Sequence, residues 1–167
     1  MSDNERFHDN GDGTITDTLT HLIWMKNDSY QDMKTYFSFR GAVRYAEAKN
    51  REAFAGFTDW RIPDKQEAHS LYFPDKNRVV KDRYDMDVYI DPVFPPGGGY
   101  NTWTSETRGK ITAFIFSFGN GTGAHQEVDG TVDTSIRLVR GQGDPEVMAR
   151  WGKVHAPRTL TRGGGWR

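Results

Sequence analysis

Arg6-Phe7-His8-Asp9-Asn10-Gly11-Asp12-Gly13-Thr14-Ile15-Thr16-Asp17 is the stretch whose reading decides the fold. Asn10-Gly11 and Asp12-Gly13 are turn dipeptides that tolerate a left-handed backbone. They lie between Phe7 and the alternating Thr14-Ile15-Thr16, which predicts a tight β-hairpin. The apolar run Leu22-Ile23-Trp24-Met25 continues it as a further strand.

Working outward, Ser38 is an N-cap for a first long helix, because Phe39, Ala42, Val43 and Ala46 fall at helical spacing on one stripe. That helix fades over residues 50–54. Asp59-Trp60-Arg61-Ile62-Pro63 reads as a short strand that feeds a second helix. Asp64 caps it, Glu67 completes a capping box, Ala68, Leu71 and Tyr72 form its apolar face, and Pro74 stops it. Residues 75–101 read as a long charged loop with a Pro-Pro-Gly-Gly-Gly segment; insertions of that length usually serve a function. Strands are then expected at Asn101–Ser105 and at Ile111–Phe118, the latter with Phe114, Phe116 and Phe118 on one face. Gly119–Gly123 turns, Ala124–Gly130 is turn-rich, and Ser135–Arg140 closes the sheet. From Gly141 onward the chain reads as an extended arm.

Five of these segments, in order, carry a resemblance. Arg6 to Asp17, Leu22-Ile23-Trp24, Asp59 to Pro63 with Glu67, Trp103-Thr104-Ser105 and Arg137-Leu138-Val139-Arg140 resemble the motif series of the DUF1566 family, also called Lcl C-terminal-like. The resemblance implies an α+β chain with a C-type-lectin-like fold, related to formylglycine-generating-enzyme-like domains. In it, two helices pack on a small, twisted, mostly antiparallel sheet with long loops. The implied domain covers residues 1–140 with an insertion at 75–101, followed by a basic C-terminal arm at 141–167. His21 stands where the family often has glycine, and the family's occasional cysteines are absent. Trp24, Trp60 and Trp103 sit inside the motifs and are expected in or near the core. Arg61 and Glu67 are expected to pair and lock the strand-to-helix corner, and Arg137 belongs to the closing motif; all six are structural expectations.

The chemistry of the chain is narrow. It has no cysteine, which removes disulfides, thiolate zinc sites and thiol nucleophiles. An EF-hand frame on Asn10 and Asp12 puts His8 at the first ligand position and Leu19 where a bidentate glutamate belongs, so the segment reads as a turn. Trp103 is followed by Thr104-Ser105, which brings no carboxylate for a lectin-type calcium site. His8, His21, His69, His125 and His155 lack metal-ligand spacing. Gly119-x-Gly121-x-Gly123 opens no apolar helix and is no dinucleotide loop. Ser105, Glu106 and His125 have no nucleophile elbow around the serine. No enzyme, metal or cofactor is expected.

The chain's net charge is -1, and its mean hydropathy is -0.77. Residues 141–167 nevertheless carry five basic side chains against two acidic ones. Trp151, Arg158, Arg162, Trp166 and Arg167 are therefore the candidate partner-binding residues of the arm, either on a partner protein or back on the body. The cluster is too sparse for nucleic acid. No apolar run is long enough to span a membrane, and the polar start at Met1–Arg6 lacks a signal-peptide core, so a cytoplasmic location is expected. The expected function is a non-catalytic binding or scaffolding module, an accessory subunit that docks on a larger complex through its loops and arm. One form of that role is the tryptophan-rich subunit of a membrane-bound cytochrome redox complex. The alternative is a secreted or surface glycan-binding domain, as the collagen-like branch of the family implies.

Overall fold

A computed structural model describes residues 6–130 and 133–151 of the 167-residue chain. The opening hairpin forms as expected: β1 (Phe7–Asp9) pairs antiparallel with β2 (Thr14–Asp17), and β2 pairs with β3 (Ile23–Met25). The turn is held by its own side chains. Asp12 accepts from the Thr14 N–H at 3.0 Å, and Asp9 accepts from the Gly11 N–H at 2.9 Å. At the strand's far end the Arg6 guanidinium grips the buried Asp17 carboxylate through two bonds of 2.9 and 2.7 Å.

A short helix, α1 (Ser29–Met33), begins on an Asp28/Gln31 capping box. Next comes α2 (Phe39–Arg51), whose cap Ser38 accepts from the Gly41 N–H at 3.0 Å. Its buried residues are Gly41, Ala42, Tyr45 and Ala46, whereas Val43 is 38% exposed. The expected stripe is thus rotated toward Tyr45, because the helix must cover Trp103 and Ile115 while Val43 overhangs a groove. α3 (Lys65–Leu71) starts on the expected Asp64/Glu67 capping box. Glu67 also receives two bonds from Arg61, at 2.7 and 2.6 Å, and Arg61 Nη2 reaches the Gly141 carbonyl at 2.7 Å. This corner therefore ties α3 to the end of the sheet.

Residues 75–101, expected to be an inserted loop, are more regular than a loop. They contain a hairpin of β4 (Val80–Lys81) and β5 (Asp87–Val88), then return through prolines and glycines to β6 (Asn101–Arg108). β6 pairs antiparallel with β7 (Thr112–Ser117), and β7 with β8 (Gly123–Glu127), a strand in the stretch expected to be turn-rich. The segment expected to close one sheet is divided between two. β9 (Thr134–Ser135) runs parallel to β6, and β10 (Val139–Arg140) pairs antiparallel with β3. Among the described residues there are two four-stranded sheets, β1-β2-β3-β10 and β8-β7-β6-β9, so the chain is α+β with mostly antiparallel pairing.

The second sheet is buried on both faces, which explains the unbroken apolar run of β7. Phe114 and Phe116 join a first core with Trp24, Leu71, Val88 and Phe94. Ala113 and Ile115 join a second core with Trp103, Trp60, Tyr45 and Leu138.

Residues 145–151 are helical rather than extended: α4 (Pro145–Met148), capped by Asp144, runs into a 3-10 turn at Ala149–Trp151. Met148 is buried in the first core, which draws this part of the arm onto the body.

Glu67→Ala removes the Arg61 bonds and half of the capping box together. It is expected to cost about 2–3 kcal/mol, seen in urea denaturation as a lower midpoint with an unchanged slope.

Candidate functional site

The insertion returns to the sheet through a close approach at Asp28. This carboxylate is buried and accepts from the Gln31 N–H at 2.9 Å, the Gly99 N–H at 2.6 Å and the Ser135 hydroxyl at 3.0 Å. Only glycine fits opposite it: a Cβ on Gly98 would lie 2.7 Å from Asp28 Oδ2, and one on Gly99 would lie 2.4 Å from Ser135 Oγ. Gln31 Nε2 donates to the Pro95 and Pro96 carbonyls, both at 3.0 Å. The β4–β5 hairpin is fastened to this base, since the Arg83 N–H meets the Gly98 carbonyl and the Gly97 N–H meets the Lys81 carbonyl. Asp82 folds its tip by accepting from the N–H groups of Tyr84 and Met86 at 2.8 and 2.9 Å.

Between this hairpin and the second sheet lies a groove of about 490 Å³. Asn101, Ile115, Ser117 and Gln126 face it from the sheet, and Tyr36 and Tyr100 wall it. Its rim is the hairpin tip, where Tyr84 is 53% and Met86 52% exposed, unusually large apolar side chains to leave in water. The Arg83 guanidinium sits over three rings, 4.6 Å from Tyr30, 4.6 Å from Tyr84 and 5.9 Å from Tyr36. These contacts, each worth about 0.5–1 kcal/mol at an exposed site, brace the tip against α1. Burial, reinforced by nearby Tyr84 and Asp133, pushes the Tyr36 phenol above the ordinary tyrosine range.

A second groove, of about 340 Å³, lies where the β6–β7 turn overhangs α2. Phe39, Val43 and Val128 are its apolar lining, and Arg40, Arg44 and Lys110 its charges. Arg40 bonds Asp129 at 2.7 Å.

The residues singled out in the sequence sit elsewhere. Trp24, Trp60 and Trp103 are buried. Trp60 Nε1 donates to the Phe54 carbonyl at 3.1 Å and Trp103 Nε1 to the Phe37 carbonyl at 2.8 Å. Arg137 is buried, donates from Nη1 to the carbonyls of Met25 and Lys26, and lies over the Phe94 ring. Burial lowers its pKa and the charge of Asp28 opposes that shift. Trp151 packs against the first core with Arg6 at 5.2 Å from its ring, and its carbonyl lies 3.0 Å from His69 Nδ1. Arg158, Arg162, Trp166 and Arg167 lie outside the described residues. His125 and Glu106 approach only to 4.0 Å, and Glu106 pairs with Lys65 at 3.0 Å.

The family model of the Lcl C-terminal domain matches residues 13–140, most of the chain. This chain belongs to the Lcl C-terminal domain family. No curated protein and no solved structure matches it. The match takes in both sheets from β2 onward and the insertion, while the Trp151 turn lies beyond it. In this Lcl C-terminal domain the groove residues were not evident from sequence. The one signal was the alternation Tyr84, Met86, Val88, Ile90, a period-2 strand pattern inside a charged stretch.

Tyr36, Tyr45 and Tyr72 all have phenols raised above the ordinary range, with burial the largest cause in each. The fold holds their protonated form, so they cost no stability below about pH 10 and destabilise it as pH rises beyond. Absorbance titration at 295 nm should show a late-ionising fraction that shrinks in Tyr36→Phe. Superimposable curves for the two proteins would contradict this.

Proposed function

We propose that this chain is a non-catalytic binding and scaffolding module, an accessory subunit that docks on protein through the tip of its insertion hairpin. The observation that carries the reading is the pair Tyr84 and Met86, more than half exposed at the end of a hairpin braced by Arg83 and anchored on Asp28. Tyrosine and methionine are enriched at interfaces, and a braced tip loses little conformational freedom on binding. The polar side chains around it have structural employment: Asp82 turns the tip, and Asp28 holds its base. We assign the α+β body to the C-type-lectin-like class on the strength of the family membership and of long loops carried on a mostly antiparallel sheet.

A second reading, glycan binding in the larger groove, is favoured by the flat rings of Tyr36, Tyr84 and Tyr100 beside the amides of Asn101, Asn120 and Gln126. Rings stack on the apolar face of a sugar, and planar amides bond its hydroxyls.

Capture of the tagged full chain from its native cell, alongside a Tyr84→Ser/Met86→Ser variant, separates the readings. A stoichiometric protein companion that the variant loses by tenfold or more, about 1.4 kcal/mol, supports docking. Recovery of the chain alone, or a companion indifferent to the variant, contradicts it. Retention of the wild type on immobilised glycans, lost in Asn101→Ala, is the outcome expected of the second reading.

A further inference from the structure

The hairpin tip and the basic groove are complementary surfaces on one chain. The tip offers two exposed apolar side chains around Asp85, an exposed acid for which no ion pair is found among the described residues. The groove offers an apolar floor of Phe39, Val43 and Val128 beneath Arg44 and Lys110, with Val43 itself 38% exposed. Ile111, at the lip of the same turn, is 71% exposed. Arg40 is already engaged by Asp129, so Arg44 and Lys110 are the cations that face an incoming acid.

Their placement matters as much as their chemistry. The tip lines one groove together with Ile115 and Ser117 of β7, and the basic groove lies beside the turn that leads into Thr112. Gln126 of β8 and Val128 just beyond it line one groove each, so the two grooves lie side by side. A two-fold axis set between the two sites exchanges them. It brings the tip of each copy to the basic groove of the other, the self-complementary arrangement of an isologous dimer.

We infer that a second copy of this chain is the protein that the hairpin tip meets, with Tyr84 and Met86 of each copy seated in the Phe39/Val43/Val128 groove of the other and Asp85 opposite Arg44 and Lys110. This rests on the docking role proposed for the tip and names its partner. A closed pair buries both apolar surfaces of each chain, whereas a one-sided contact leaves one of each exposed. Long-range attraction between acid and base speeds the encounter and weakens with salt.

Sedimentation velocity on the purified full chain, from low to high micromolar concentration, tests the inference. The wild type is expected to form a dimer that dissociates as salt is raised. Arg44→Glu, a surface change on α2, and Met86→Lys, a surface change at the tip, should each weaken self-association tenfold or more while circular dichroism stays unchanged. Mixing the two variants should restore a dimer. In the mixed pair one contact matches Lys with Glu and the other is wild type, whereas each variant alone repels itself twice. A wild type that stays monomeric throughout overturns the inference, as does self-association that neither variant disturbs. If the wild type is monomeric while Tyr84→Ser/Met86→Ser still loses a cellular companion, the docking role stands and the second copy is ruled out as its partner.

Discussion

One buried carboxylate sets the architecture of the exposed surface. Asp28 begins α1, receives the Gly99 N–H at the end of the insertion and holds the Ser135 hydroxyl of β9. Three donors from three parts of the chain, one close to it in sequence and two distant, converge on two oxygens that are almost fully withdrawn from water. A buried charge is tolerable only when its hydrogen bonds are made and an opposite charge stands near. The guanidinium of Arg137, itself buried, feels that charge without touching it. Glycine at positions 98 and 99 permits this close approach, since a Cβ there would force Asp28 or Ser135 to shift from its hydrogen bonds.

From this anchor the consequences pass outward. The insertion arrives beside a sheet that is already covered on both faces, by α3 and the first core on one side and by α2 on the other. It has no room to bury its own hairpin fully. Val80, Val88, Ile90 and Phe94 go inward, and Tyr84 and Met86 stay in solvent, where Arg83, packed on the rings of Tyr30, Tyr36 and Tyr84, braces the tip. α2 covers the middle of the second face, and the two grooves lie side by side on this surface. The family match spans the sheets, the braced tip and the charged groove alike.

Features legible in the sequence were those fixed by neighbours in the chain. The opening hairpin follows from Asn-Gly and Asp-Gly, and the starts of α2 and α3 follow from Ser38 and from Asp64 with Glu67, because turns and caps are made within a few residues. The Arg61–Glu67 pair was legible for the same reason. Non-local features were not. Gly123-Ala124-His125-Gln126-Glu127 has weak strand propensity and becomes β8 through pairing with β7. Ser135–Arg140 reads as one strand, yet its two ends join different sheets, and no local pattern encodes that division. α1 has only five residues, too short for a helical stripe, and stands on its capping box. The larger groove draws its walls from the α1–α2 connection, the hairpin, β6, β7 and β8, so no segment announces it. Trp151, expected to meet either a partner or the body, has its ring against Arg6 and the first core.

The dependence of the tip on its buried anchor is open to one direct measurement, amide hydrogen exchange of residues 80–99 in the wild type and in Asp28→Ser. In the wild type the Gly99 N–H should exchange about as slowly as those of β7, because its acceptor is buried and charged. In Asp28→Ser, Gly99 and the β4–β5 hairpin should open together while β6 and β7 keep their protection. Free exchange at Gly99 in the wild type, or a variant in which the hairpin stays protected, would contradict the claim that this carboxylate holds the surface in place.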